Sequence, residues 1–282
     1  MATVGLLHPG EMGAAVGGCL VSVGHEVLWD PAGRSRATTG RALAAELTGV
    51  KFDRLIAKSS VIFSICPPHA ALDVARQVAA TGYSGLYVDA NAISVATAEE
   101  VAATVTAEGA TYVDGGIIGP PPEAAGHTRI YLSGPAANEV RPLFNRSRLD
   151  ARIAEGPRYA ASSVKMAYAA WTKGSSALLL AARALARASG VERTLLAEWQ
   201  LSQPALAAQS ERSASAAASK SWRWIGEMEE IAASMSAAGL PDGFHEAAAD
   251  LYERASRADV PTGRKTVTTA KETLDAIMSA LT

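Results

Sequence analysis

Two patterns of apolar residues divide the chain. As far as about residue 155, short apolar runs alternate with amphipathic stretches and with Gly or Pro breaks. Runs of strand type occupy 3–7 (TVGLL), 25–29 (HEVLW), 60–65 (SVIFSI) and 85–90 (GLYVDA). Between and after them, 10–24, 34–47, 69–80 and 96–108 carry helical composition and periodicity, and 110–118 (ATYVDGGII) and 129–134 (RIYLSG) read as further strands. Strand and helix alternating at this spacing predict βαβ units and a mostly parallel, doubly wound α/β sheet with helices on both faces.

Beyond residue 158 the strand signals stop. A long apolar-periodic stretch, 159–189, ends at Gly190, where a helix C-terminus favours glycine. Gly174 interrupts it without a proline, so a continuous or mildly bent helix is expected. Further helices are predicted at 192–206, 208–238, 243–258 and 263–281. In the GLPDG segment, Gly239 ends one helix, Pro241 blocks its continuation and Asp242 is placed to cap the next. The expected division is therefore 1–157, an α/β domain, and 158–282, an all-helical domain entered through a long helix.

Composition narrows the function. The 282 residues suffice for two ordinary domains, and with 49% hydrophobic and 19% charged residues the chain can bury a core. A net charge of −2 leaves no electrostatic footprint for nucleic acid or an anionic membrane. Two cysteines, Cys19 and Cys66, exclude a disulfide scaffold and a thiolate zinc site and fit a reducing cytoplasm. The start has no basic region before its apolar run, and no apolar run approaches the roughly 20 residues of a membrane span, so a cytoplasmic protein is expected. No His/Asp/Glu group has metal-ligand spacing, and no metal is expected.

The chemistry begins where the first strand meets the first helix, at His8-Pro9-Gly10-Glu11-Met12-Gly13. A dinucleotide site needs G-x-G-x-x-G there, because the second glycine lets the pyrophosphate approach the backbone and the helix N-terminus supplies N–H groups. Here histidine stands in the first place and the other two glycines remain. An ordinary glycine-rich turn is the bland alternative. The flanking strand and helix favour the cofactor, as does Asp30, 17 residues after Gly13, near the spacing at which an acidic residue meets the adenosine ribose. Asp30 favours NAD. Arg34 and Ser35, directly after it, could hold a 2′-phosphate and favour NADP. A cation at a helix start opposes the dipole, which tips the balance narrowly toward NADP(H).

With these segments in view, the chain resembles the β-hydroxyacid dehydrogenase and 6-phosphogluconate dehydrogenase superfamily, to which imine reductases are more distantly related. The resemblance covers nearly the whole chain. It is closest to a branch that combines HPGEMG, KMAYAAWTKG and WRWxGEMEEIA…GLPDGF. HPGEMG is similar to the family's GLGxMG turn. Ser64-Ile65-Cys66-Pro67-Pro68 is similar to the loop beside the nicotinamide ribose, so Cys66 and Pro67 become cofactor contacts. Asp89 to Ser94 is similar to the D-x-S-T segment, with Asn91 in place of the serine, and Asp114 to Gly119 to the DAPVSGG substrate loop, with Ile118 in place of its serine. Lys165 is similar to the catalytic lysine, and Ala169 stands where the family usually has asparagine. The resemblance implies an N-terminal Rossmann domain, NAD(P)(H) and a homodimer in which the long helix packs between subunits.

Lysine is rare, seven against nineteen arginines, and between Lys58 and Lys220 only Lys165 and Lys173 occur. Eight residues apart on one helix, they share a side. A lysine there is a suitable general acid for ketone reduction, and a lysine snorkelling from a surface is the alternative. Lys173 has only proximity in its favour. Tyr168 is expected to pack, with a second proton donor as its other role. His245 opens a helix and is expected at the surface, and the resemblance, in which the C-terminal helices close the pocket, keeps it and Asp242 as outside candidates for the substrate site. Trp222 and Trp224 point to different faces, one packing and one lining a substrate wall, for which Trp224 is the candidate. Glu227, Glu229 and Glu230 read as a solvated face. Cys66 lacks a base and is expected to pack. Taken with the resemblance, the residues predict NAD(P)-dependent hydride transfer to or from a small hydroxy or keto substrate, with Lys165 as acid/base and Asn91 and Ile118 shaping the site. The alternatives are imine reduction and a non-catalytic nucleotide-binding protein.

Overall fold

The computed structural model describes residues 1–260 and 269–282. The chain divides into two compact units, Met1–Met166 and Ala167–Thr282. In the first, β1 (Thr3–Leu7), α1 (Glu11–Val21), β2 (Glu26–Trp29), α2 (Arg36–Ala44), β3 (Thr48–Gly49), α3 (Phe52–Lys58), β4 (Val61–Ser64), α4 (Ala71–Ala79), β5 (Leu86–Asp89), α5 (Val95–Ala107) and β6 (Thr111–Ile118) follow in turn. Then come β7 (Arg129–Ser133), α6 (Ala137–Val140), β8 (Asp150–Ile153) and the first turns of α7 (Ala160–Ala188).

The eight strands form one sheet in the order β3-β2-β1-β4-β5-β6-β7-β8, and only the β6–β7 pair is antiparallel. The order reverses between β1 and β4, and Leu7 pairs with Ser64 there. Alternate residues of each strand serve opposite faces. Leu6, Phe63, Val88 and Val113 enter one core with Val16 and Leu20. Leu28, Ile62, Tyr87 and Tyr112 enter the other with Leu55 and Val101. Burial on both faces is why the central strands read as unbroken apolar runs.

Several short elements depart from the expected pattern. The helix expected at 34–47 is α2 alone, because Ser35 takes extended backbone and caps it by accepting from Thr38 N–H. The segment after it holds β3 and α3, which sequence periodicity did not indicate, and β8 was likewise missed. β3 and α3 are two and seven residues long, too short for a period to show, and β8 is an edge strand that is only partly buried and carries no apolar run, unlike the equally short β4 and β5.

The second unit contains the rest of α7, then α8 (Glu192–Ser202), α9 (Leu206–Ala237), α10 (Gly243–Ser256) and α11 (Ala270–Leu281). α7 passes through Gly174 unbroken. Gly190 and Gly239 follow α7 and α9 at φ 72° and 69°. The helix expected at 192–206 stops at Ser202, because Gln203 precedes Pro204 and is driven out of the helical region (φ −148°, ψ 67°). Asp242 does not cap α10 with its side chain; its backbone carbonyl accepts from His245 and Glu246 N–H instead. Of the helix expected at 263–281, residues 263–268 lie outside the described residues. The remainder is α11, which opens with a capping box between Thr269 and Glu272.

Candidate active site

In a doubly wound sheet a ligand binds outside the carboxyl ends of the strands where the strand order reverses. Here that place is bounded by the residues after β1 and β4, His8–Gly13 and Ile65–Pro67. Asp30 follows β2 and Asn91 follows β5 on the same edge.

The turn after β1 is tight. His8 takes left-handed backbone, φ 65°, and its carbonyl accepts from Gly10 N–H at 2.7 Å. A Cβ on Gly13 would stand 2.5 Å from that carbonyl, so helix α1 can approach the turn only with glycine there. Beside Gly10 a Cβ would meet no protein atom nearer than His8 O at 4.0 Å, leaving space open against the backbone. No side chain caps α1. Its first N–H groups, on Glu11, Met12 and Gly13, therefore have no partner inside the helix and point toward this space. Pro9 is buried, the Met12 side chain packs on the core, and Glu11 is exposed. These features suit a pyrophosphate.

A cavity of about 200 Å³ lies next to the turn, and its lining includes Leu7, His8, Asp30, Ala32 and Arg34. Asp30 Oδ1 accepts from Ala32 N–H at 2.9 Å, which turns one carboxylate oxygen back into its own loop. Arg34 is exposed. Burial, and then the Arg34 guanidinium, lower the pKa of His8 to about 4. The Ser35 hydroxyl is engaged with the start of α2.

Asn91 ties two strand ends together. Its Oδ1 accepts from Cys66 N–H at 2.6 Å, and its Nδ2 donates to Ser64 Oγ at 3.1 Å. Burial and then the Asp89 carboxylate push the Cys66 thiol up to about 12, so it is a packed thiol. Pro67 leads into a short 3-10 turn at Pro68–Ala70.

Lys165 reaches the same sheet edge from another direction. Asp114 on β6 accepts from Ser162 N–H (2.9 Å), Ser162 Oγ (2.5 Å) and Ser133 Oγ (2.7 Å), and Ser133 Oγ accepts from Ala161 N–H (3.0 Å). Together they cap the first turn of α7 from the sheet. Burial raises the Asp114 carboxyl although hydrogen bonds from Ser162 and Ser133 pull the other way. A Cβ on Gly116 would lie 2.6 Å from Ala161 O and 3.0 Å from Lys165 Cβ, so this glycine admits the helix. Lys165 Nζ then donates to Ile117 O at 2.9 Å, near the carboxyl end of β6. Ile118 is buried. Ser133 and Ser162 were not singled out in the sequence, because each is an ordinary serine until the fold brings it to Asp114.

The remaining candidates belong to the helical unit. Tyr168, expected to pack, is exposed, because it lies on the outer side of α7. Lys173 Nζ meets Glu227 Oε2 at 2.5 Å, and Arg223 approaches Glu227 at 3.9 Å. Glu227 is thus not on a solvated face. Trp224 is buried edge-on to Tyr252, with ring centroids 5.1 Å apart, and the exposed member of the Trp222–Trp224 pair is Trp222. His245, expected at the surface, is buried, since α10 turns it toward α7. Its Nε2 stands 3.4 Å from Ala170 O, and Tyr252 donates to Lys173 O at 2.7 Å.

The profile of the NAD binding domain of 6-phosphogluconate dehydrogenase matches residues 1–147. A domain of unknown function (DUF1932) matches 186–255. No curated protein matches the chain. Among solved structures, the conserved protein MTH1747, described as structurally similar to 3-hydroxyacid dehydrogenases, is 26% identical. Its TM-score is 0.66, over 90% of this chain and 97% of its own. The 3-hydroxyisobutyrate dehydrogenase of Mycobacterium tuberculosis, solved with L-serine, is 18% identical with a TM-score of 0.69 over 99% of each chain. A reductive aminase from Aspergillus terreus, in complex with NADPH4, cyclohexanone and allyl amine, is 18% identical with a TM-score of 0.56 over 97% and 98% of the two chains. The last two show likeness of fold. Among the described residues no helix is long and apolar enough to cross a membrane.

Proposed function

The chain belongs to the family of the 6-phosphogluconate dehydrogenase NAD-binding domain, and from that premise we propose that it is an NAD(P)-dependent oxidoreductase acting on a small hydroxy or keto compound of the β-hydroxyacid kind. The observation that carries the reading is Lys165, whose Nζ is hydrogen-bonded at the carboxyl end of β6, the sheet edge to which β1 also delivers its turn. The cofactor, when bound, supplies or accepts the hydride. Lys165 gives a proton to the substrate oxygen in reduction and takes it back in oxidation. The Glu11–Gly13 N–H groups hold the pyrophosphate, and Asp114 fixes the helix turn that carries the lysine. NADP(H) is favoured because Arg34 lines the cavity and Asp30 is partly turned into its own loop.

Reduction of an imine is the second reading. Ile118, an apolar residue where the family has a serine, supports it, since it removes a hydroxyl that would hold a carboxylate. We also infer a homodimer through α7, whose outer side carries Tyr168, Trp171, Leu178 and Leu185, all exposed.

The test follows NADPH oxidation with a panel of α-keto acids, β-keto acids and cyclic and exocyclic imines. Turnover of keto acids is expected, and turnover of imines alone selects the second reading. Lys165→Ala should lower turnover roughly a hundredfold to ten-thousandfold while the NADPH Kd stays within about threefold. Wild-type turnover in that variant removes Lys165 from the mechanism. Tight cofactor binding without turnover of any substrate supports a non-catalytic nucleotide-binding protein.

A further inference from the structure

His8 stands where glycine is expected, on left-handed backbone that glycine adopts more readily. A histidine held there at a conformational disadvantage invites a reason on the side-chain end. It lines the cavity of about 200 Å³ with Asp30 and Arg34. Its Nδ1 is shielded from water and has no hydrogen-bond partner among the described residues. A polar contact between the half-buried ring and a ligand therefore falls to Nε2.

We propose that His8 is a specificity-determining residue whose uncharged ring donates Nε2–H to the 2′-phosphate of NADP(H), with Arg34 supplying the charge beside it. This rests on the cofactor reading above and goes beyond it in naming the donor and its protonation state. The groups around the ring decide that state. Arg34, from the loop after β2, is the cation facing it. Asp30, directly after β2, gives one oxygen to Ala32. Cys66, after β4, is a protonated thiol. The elements α3 and α4 contribute Phe52, Val74 and Gln77 to the cavity, all uncharged. Glu11, on the following turn, is exposed. A proton on Nδ1 would add a second positive charge beside Arg34 and leave a shielded N–H without an acceptor. Burial and Arg34 accordingly hold the pKa at about 4. A ring in this state binds a phosphate as a neutral donor and takes up no proton. The guanidinium makes the charge-assisted bond.

The experiment measures NADPH and NADH affinity by nicotinamide fluorescence for the full-length protein, His8→Gly and His8→Gln. Measurements are made at about pH 7.5, above the second phosphate pKa of about 6. Calorimetry in two buffers of different ionisation heat counts the protons exchanged. His8→Gly removes the donor and relaxes the backbone, and His8→Gln returns an N–H₂ near the place of Nε2. Because backbone strain affects both cofactors alike, the NADPH/NADH affinity ratio is the reading. The ratio should fall about tenfold in His8→Gly, one lost hydrogen bond to a charged group, and largely recover in His8→Gln. NADPH binding should take up no proton. An unchanged ratio in His8→Gly or uptake of one proton per NADPH overturns the proposal and leaves the cofactor reading standing; no NADPH preference in the wild type overturns the proposal and the NADP(H) preference with it, and leaves dinucleotide binding standing. Binding of neither cofactor removes both.

Discussion

Glu227 lies in a stretch with Arg223, Glu229 and Glu230 that reads as solvated, yet its side chain is only 8% exposed and meets Lys173 at 2.5 Å. The partner is 54 residues away in sequence, so no local spacing announces it. The sequence does show that lysine is scarce and that Lys173 sits on an apolar helix, which is half of the observation. Burying two charges together is close to neutral, whereas removing one of them strands the other. Glu227→Ala should therefore lower stability by about 3 kcal/mol in urea unfolding. Lys173→Met with Glu227→Met should return to within about 1 kcal/mol of the wild type. A loss in Glu227→Ala below about 1 kcal/mol would mean that the pair is effectively solvated.

At the scale of elements, the start of α7 shows what a helix needs from the sheet it follows. Asp114 and Ser133 accept the N–H groups of its first turn, and Gly116 leaves the room. Gly116→Ala puts a methyl group against Ala161 O and Lys165 Cβ, and both are fixed by the helix. The helix must move away from β6, and the Lys165–Ile117 bond lengthens. The expected loss is about 2 kcal/mol of stability, as for overpacking elsewhere, with a fall in turnover and an unchanged NADPH Kd. A fall in NADPH affinity matching the fall in turnover would mean that the damage spreads to the turn after β1. The long helices and the central strands were legible because their apolar period repeats several times. β3 and β8 were not, because a strand of two or four residues at a sheet margin is chosen by its neighbour's free backbone groups rather than by its own pattern.

For the whole molecule, the turn at His8–Gly13 was legible because it sits at a strand–helix junction of recognisable spacing, whereas Lys165 stood out only through the scarcity of lysine and the family resemblance. The web that holds Lys165 was not legible, since Asp114, Ser133 and Ser162 meet only after folding. The outer side of α7 is a further feature that only solvent exposure exposes to view. Trp171, Leu178 and Leu185 recur every seven residues, and Tyr168 lies one turn before the first; Trp171 is 74% exposed and Leu185 69%. A seven-residue apolar repeat is the seam of a helix that packs lengthwise on another. In the proposed homodimer, a second copy of the same helix, related by a two-fold axis, would present a matching seam and close the assembly at two chains. Large aromatic and aliphatic anchors at such a centre carry most of the binding energy. Trp171→Glu with Leu178→Glu should therefore cost at least about 3 kcal/mol of association, more than a hundredfold in Kd. Light scattering should show wild-type dimers and variant monomers. Circular dichroism should retain the helical signal, since both side chains face outward. A wild type that is monomeric at every concentration, or a double variant that remains dimeric, would move the interface off this face of α7.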